Sequence, residues 1–215
     1  MRTLLFVPRS RSFPASLDSI AALAQAGGLD VELAWGDDPN AEPYENITRK
    51  YQYGQQLALD GGYEALMTVE DDIVVPPDAY SRLAALDCDV AYGLTVWRNS
   101  PHHWSAVLEL GGQDHHVSLD EYPDRRQELW GGIMTVVGCG LFCTLIRRHV
   151  LEAIPFRRTG RHCCDWDFAL DCADSGFVQK ADLSVVCGHL TGDGLAALWP
   201  DPATGFRAEV IRIAA

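Results

Sequence analysis

Basic residues are scarce in this chain. Seventeen Lys and Arg stand against thirty Asp and Glu, a formal net charge of −13. A general phosphate-backbone binder needs a basic face, so nucleic-acid backbone binding is not expected. A nucleotide ligand stays open if a cation bridges the two sets of negative charge. No run of about eighteen apolar residues occurs, so no membrane span is expected. The apolar opening, Thr3 to Val7, is short for a signal-peptide core and is followed by arginines. It reads as a first buried strand. CxxC pairs are missing as well. The seven cysteines are odd in number and scattered, and adjacent Cys163 and Cys164 have a poor spacing for a zinc knuckle. Reduced core thiols in a cytoplasmic protein are the expectation. Repeats and low-complexity segments are absent.

What is present suits one domain of 215 residues. Hydrophobic residues make up 47% and charged residues 22%, an ordinary globular balance that excludes disorder, collagen and coiled coil. The segment 2–8 reads as a strand and 16–26 as a helix, with Leu17, Ile20 and Leu23 at helical spacing and Gly27-Gly28 as its stop. A strand at 29–35, a helix at 46–59 closed by Gly61-Gly62, and a strand at 64–70 follow. Pro76 and Pro77 start a helix to about Leu86, and 88–97 is a fourth strand. This alternation predicts a parallel, doubly wound sheet. Beyond Trp97 the chain turns polar, with histidine pairs. SAVLEL reads as an antiparallel strand. The apolar stretch 133–146, interrupted by Gly138 and Gly140, reads as two strands or one bent strand. Short helices at 147–153 and 164–176 and a last strand at 182–190 complete the pattern. The tail after Thr191, with Trp199 and Phe206, carries no signal beyond covering the site or a partner.

Two acidic clusters carry the chemistry. Glu70-Asp71-Asp72 sits where a buried strand ends, the edge at which open α/β sheets bind ligands. Successive carboxylates repel unless a cation satisfies them, and hard oxygen ligands suit Mg²⁺ or Mn²⁺ together with substrate phosphates. Alternation places Glu70 and Asp72 on one side and Asp71 on the other. The plainer reading is an acidic turn capping the helix at Pro76. Asp165-Trp166-Asp167 lies at a predicted helix start, where capping competes with general-base work on an acceptor hydroxyl. His189 ends an apolar strand, as a structural group or as a metal ligand. Gly138 and Gly140 permit close approach of backbone to a ligand.

In this order the segments resemble the soluble nucleotide-sugar glycosyltransferases of the GT-A fold, close to the family 2 group. The resemblance spans roughly 1–190. It rests on RKYQYGQQLALDGGYEALMTVEDDIVVPPDAYSRL, YGLTVWRNSP, VVGCGLFCTLIRRHVLEAI, and DWDFALDCADSGF followed by DLSVVCGHL. It implies an α/β, GT-A-like (Rossmann-like) open mixed sheet flanked by helices, in a single domain 1–215. Residues 1–97 would bind the nucleotide sugar, and 98–215 would hold the acceptor and complete the metal site. The acidic triplet matches the family's DxD, with Glu in first place. The resemblance implies that Asp72 binds Mn²⁺ or Mg²⁺ and that His189 completes the metal site. Glu70 would face the ribose or the metal's water shell, and Asp71 would stand beside it at the nucleotide. Asp165 matches the acid of the family's ED pair, the base of inverting members. Cys164 stands where the family has Glu, so Asp167 could share the role. Pro8, Arg9 and Ser10 match the loop at the base and ribose, and Arg49 the basic residue that reaches the nucleotide.

The implied reaction is metal-dependent transfer of a sugar from a nucleotide-diphosphate donor to an unknown acceptor hydroxyl, with inversion. A divalent ion would relieve the charge conflict and stabilise the leaving diphosphate. The polar region Arg98–Arg126, with His102, His103, Trp104, His115 and His116, would form the acceptor side or a lid. Trp97, Trp104, Trp130 and Trp166 are candidates for stacking on sugar, against core packing. A sugar-phosphate nucleotidyltransferase would want a glycine-bearing loop after the first strand, and PRSRSFPAS has none. A metal phosphoesterase would spread more His and acids over several strand ends. A non-catalytic nucleotide- or sugar-binding protein of the same fold remains the other alternative.

Overall fold

The computed structural model describes residues 1–110, 113–116, 123–160 and 163–211, without the side chains of 102, 108–110, 113–116 and 123–124. The chain opens with β1 (Thr3–Pro8), α1 (Pro14–Gly27), β2 (Asp30–Ala34), α2 (Pro43–Asp60) and β3 (Ala65–Val69). Next come β4 (Ile73–Val74), α3 (Ala79–Ala84), β5 (Val90–Leu94), β6 (Val96–Trp97), β7 (Ser100–Trp104), β8 (Val107–Leu110) and β9 (Gln113–His116). After α4 (Pro123–Leu129) follow β10 (Ile133–Thr135), β11 (Cys143–Arg147), α5 (Arg148–Ala153) and α6 (Cys164–Asp174). Four strands close the chain: β12 (Gln179–Val186), β13 (Gly188–Leu190), β14 (Ala196–Asp201) and β15 (Gly205–Val210).

Seven strands form the central sheet in the order β10-β12-β5-β11-β3-β1-β2. β1 pairs in parallel with β2 and β3, and β12 in parallel with β5. The sheet is mixed, as expected: β11 runs antiparallel between β3 and β5, and β10 antiparallel to β12. Both come from the glycine-interrupted stretch 133–146. Its two strands occupy separate places in the sheet rather than pairing with each other. β1, β3 and β5 are buried on both faces, which is why they read as continuous apolar runs.

Local chemistry sets the helices. α1 begins at Pro14, buries Ile20 and Leu23, and stops at Gly28, whose φ of +60° a residue with a side chain adopts at a cost. α2 starts at Pro43, three residues earlier than its apolar pattern, and buries Tyr51, Gly54, Gln55 and Ala58 on one face. A Cβ on Gly54 would stand 2.8 Å from the Phe6 ring, so glycine lets this helix lie close on the sheet. α3 begins at Ala79 rather than at the prolines, because a residue before proline is held extended. That extended segment contains β4, which the sequence pattern missed.

The tail proves structured. β13, β14, β15 and β4 form a second sheet, ordered β15-β14-β13-β4. The predicted strand 182–190 therefore splits at Cys187, its first part in the main sheet and its second in the small one. SAVLEL supplies β8, antiparallel to β9 as expected of it, while the stretches read as polar loop add β7, paired with β6, and β9. All seven cysteines are free. Among the described residues, no helix is long and apolar enough to cross a membrane.

Candidate active site

The C-terminal ends of β1 and β3 lie side by side, so the loop after β1 meets the acids after β3. Asp71, almost fully buried, accepts the backbone N–H groups of Ser10 (2.7 Å) and Arg11 (2.6 Å) through Oδ2. It fixes the loop rather than facing a ligand alone. Glu70 turns to α2, where the buried Tyr51 hydroxyl donates to its Oε1 at 2.9 Å. Burial, with the charges of Asp72 and Asp165, pushes the Glu70 carboxyl up to about 7. The same burial, with the Glu70 charge, raises the Tyr51 hydroxyl well above its ordinary value.

Asp72 is the hub. Its Oδ2 accepts from Arg11 Nη2 at 2.6 Å and from Arg98 Nη1 at 2.8 Å, and His189 Nε2 lies 3.6 Å away. Burial opposes its charge, yet His189, Arg11 and Arg98 prevail and hold the carboxyl at about 2. His189 arrives through the small sheet. β13 pairs antiparallel with β4 in the register His189↔Ile73, and the Leu190 N–H donates to the Asp72 carbonyl at 2.8 Å. A Cβ on Gly188 would stand 2.7 Å from the Trp199 indole, so this strand depends on glycine under the tail. The carbonyl of Val96, 2.9 Å from Nδ1, can only accept, so Nδ1 carries the proton and Nε2 faces Asp72. Burial lowers the imidazole's basicity, but Asp72 outweighs it and the net shift is upward.

These groups wall a cleft of about 310 Å³, with Pro8, Ser10 and Cys163 also on its lining. Beside it lies a second cleft of about 320 Å³, lined by Trp97, Ser105, Gly140, Cys163, Asp165 and Trp166 among others. Cys163 belongs to both. Asp165 Oδ1 accepts the Trp166 N–H at 2.7 Å. Burial raises the Asp165 carboxyl against the hydrogen bonds from Cys163 and Trp166. Gly140 beside it has φ +84°, a backbone conformation that favours glycine.

The expected residues divide. Glu70, Asp72 and His189 come together, as do Pro8, Ser10 and Asp71 around them, and Asp165 stands in the adjoining cleft. Three expected residues line neither cleft. Arg9 is buried with its guanidinium 3.6 Å from the Trp35 ring centroid. Arg49 pairs with Asp38 and Glu45 on the surface of α2 and lines a separate cavity beside β2. Asp167 accepts the N–H (2.6 Å) and hydroxyl (3.0 Å) of Thr159. Both of its oxygens are engaged by the preceding loop. Trp97 and Trp166 line the second cleft. Trp104 is buried, donates to the Gly205 carbonyl and packs on Trp130. His103 pairs with Ser100, while the side chains of His102, His115 and His116 lie outside the described residues. Sequence reasoning missed Arg11, Arg98 and Tyr51. The adjacency of Arg11 to an acid-binding loop was the available signal, and none marked Arg98.

Among the described residues, no three His, Cys, Asp or Glu side chains are grouped to hold a metal on their own. Asp72, whose Oδ2 is held by Arg11 and Arg98, and His189 Nε2 are the residues that could hold a divalent ion, with its other ligands drawn from substrate phosphates and water. The fixed Nδ1 proton leaves the right nitrogen free for it.

No protein-family model matches the chain, and no curated protein does. Solved structures do. A197 from STIV shares 19% identity at a TM-score of 0.63, covering 100% of this chain and 99% of its own. A Drosophila β-1,4-galactosyltransferase 7 mutant, in complex with manganese, UDP-Gal and xylobiose, shares 12% identity at a TM-score of 0.52, covering 89% of this chain and 72% of its own. At these identities the likeness is one of fold: a single GT-A-like α/β domain with a mixed central sheet flanked by helices.

Proposed function

We propose that the chain is a glycosyltransferase, close to the family 2 group, that moves a sugar from a nucleotide-diphosphate donor to an acceptor hydroxyl with inversion. The observation that carries this reading is the junction of two clefts at Cys163, one holding Asp72 and His189, the other Asp165. In this reading the donor's diphosphate occupies the first cleft, with Pro8 and Ser10 toward the nucleoside. The acceptor occupies the second. The division of labour between 1–97 and 98–215 follows, with Asp72 on the donor side and His189 and Asp165 supplied by the later half. A cytoplasmic location accompanies the free thiols.

Asp165 is the base. Burial raises its basicity toward the range in which a carboxylate takes a proton from a hydroxyl as the bond forms. The Trp166 N–H holds the carboxylate in one orientation. Trp97 and Trp166, on the lining of that cleft, are the side chains that would stack on a sugar ring. Asp72 and His189 are the residues that would hold Mn²⁺ or Mg²⁺, and such an ion, when bound, neutralises the diphosphate and eases its departure. Tyr51 steadies Glu70 beneath that site.

The test is thermal stabilisation by UDP, GDP, CMP and dTDP, each with and without Mn²⁺. A ligand confined to the folded state adds about 2.7 kcal/mol at a hundredfold excess over Kd. Stabilisation by one nucleotide that is greater in Mn²⁺, with the Mn²⁺-dependent part lost in Asp72→Ala, is expected. Silence toward every nucleotide and toward Mn²⁺ would return the acidic turn to a structural role.

A further inference from the structure

Arg11 and Arg98 reach the donor cleft from separate parts of the chain. Arg11 sits in the loop between β1 and α1. Arg98 occupies the turn of the β6–β7 hairpin, where Trp97 pairs with Ser100. Both guanidiniums converge on a single oxygen, Asp72 Oδ2, at 2.6 and 2.8 Å. Arg11 also lies 3.6 Å from Asp71 Oδ1. Two like charges converge only around an anion, and planar guanidinium forks suit phosphate oxygens as well as carboxylate. Their side chains are 39% and 31% exposed, whereas Asp72 is nearly buried, so the arginines can swing and the carboxylate cannot. The chain as a whole carries −13, so the two arginines are a local departure from its overall charge.

Resting on the donor-cleft reading, we infer that Arg11 and Arg98 form a diphosphate clamp for which Asp72 is the internal competitor. In the free protein Asp72 occupies the clamp. The donor's diphosphate displaces it, each guanidinium exchanging a carboxylate oxygen for a phosphate oxygen. His189 Nε2, 3.6 Å from Asp72, is placed to take over the released carboxylate, directly when protonated or through a shared cation. The clamp therefore holds a diphosphate in the absence of a divalent ion, and the carboxylate weakens that binding.

The sign of one substitution tests this. Calorimetric titrations with inorganic pyrophosphate, inorganic phosphate and UDP, GDP, CDP and dTDP are run in EDTA and again in Mn²⁺. In EDTA, Asp72→Asn should tighten pyrophosphate binding severalfold, because the competitor is gone. Arg11→Gln and Arg98→Gln should each weaken it about tenfold, the size of a lost charge-assisted hydrogen bond. A preference for diphosphates over inorganic phosphate is expected, and equal binding of the two would overturn a two-armed clamp. The Arg98→Gln/Asp72→Asn double variant, which leaves no unpaired buried carboxylate, controls for misfolding. Binding seen only in Mn²⁺ and unchanged in both arginine variants would overturn the clamp while leaving the transferase reading intact. Absence of all diphosphate binding under both conditions would sink the two together.

Discussion

The acidic turns after β3 and at the start of α6 are alike in composition and built on the same division of labour. In each, one carboxylate is consumed by a neighbouring loop. Asp71 takes two N–H groups of the loop after β1, and Asp167 takes the N–H and hydroxyl of Thr159. The remaining acids face clefts. The turns differ in how the facing acid is charged. Asp72, among two arginines and a histidine, is held at about 2, whereas burial without a cation raises Asp165. The two facing acids thus differ in basicity because of their neighbours rather than their residue type, and the proposed reaction uses the first as an anion and the second as a proton acceptor.

Asp165→Asn should break the comparison most severely. Transfer should fall about 10²–10⁴-fold, the usual contribution of a general base, while nucleotide affinity stays within twofold. Rate assays beside calorimetry check both arms, and loss of nucleotide affinity would remove Asp165 from the acceptor side.

Glu70→Gln sharpens the contrast in charge. The Glu70 carboxyl rises from 4.5 to about 7 on folding, so the folded state binds the proton more tightly. Its stabilising contribution is present below about pH 4.5 and is lost as pH rises through about 7. In EDTA, Glu70→Gln should therefore gain on the wild type by roughly 3 kcal/mol between pH 4.5 and 8, as converted from that shift. Denaturant melts across the range decide it, and parallel curves would refute the burial argument. Asp72 works oppositely, contributing stability above about pH 3.8 that is lost as pH falls through about 2.

The anchoring acids should respond alike. Asp71→Asn and Asp167→Asn should each cost about 2 kcal/mol, the order of a lost charged hydrogen bond, and expose their loops to proteolysis. An effect of Asp167→Asn confined to turnover, with stability unchanged, would return that residue to catalysis. Arg49→Gln should do least, with melting temperature and nucleotide affinity both unchanged, since an exposed ion pair contributes little.

The strands were legible where burial on both faces made them continuous apolar runs, as in β1, β3 and β5. The acids at the end of β3 were legible because a strand's C-terminal edge is a physical place for ligands. β4 was not, because two residues after a turn carry no period. β14 and β15 stayed silent because their burial follows no two-residue period: β14 buries adjacent Ala197 and Leu198, and β15 exposes Arg207 to Val210 in succession.

Arg98 shows the boundary between the two sources of information. The sequence by itself determined which segments must be buried, where the helices stop, and that acids would end β3 and begin α6. Those follow from local hydrophobicity, proline, glycine and cap chemistry. Tertiary structure alone decided what each acid meets. The antiparallel insertion of β11 separates β3 from β5, the pairing of β13 with β4 carries His189 to Asp72, and the β6–β7 hairpin swings Arg98 onto the same oxygen. Each is a contact between residues distant in the chain, fixed by register and packing rather than by the composition of either partner.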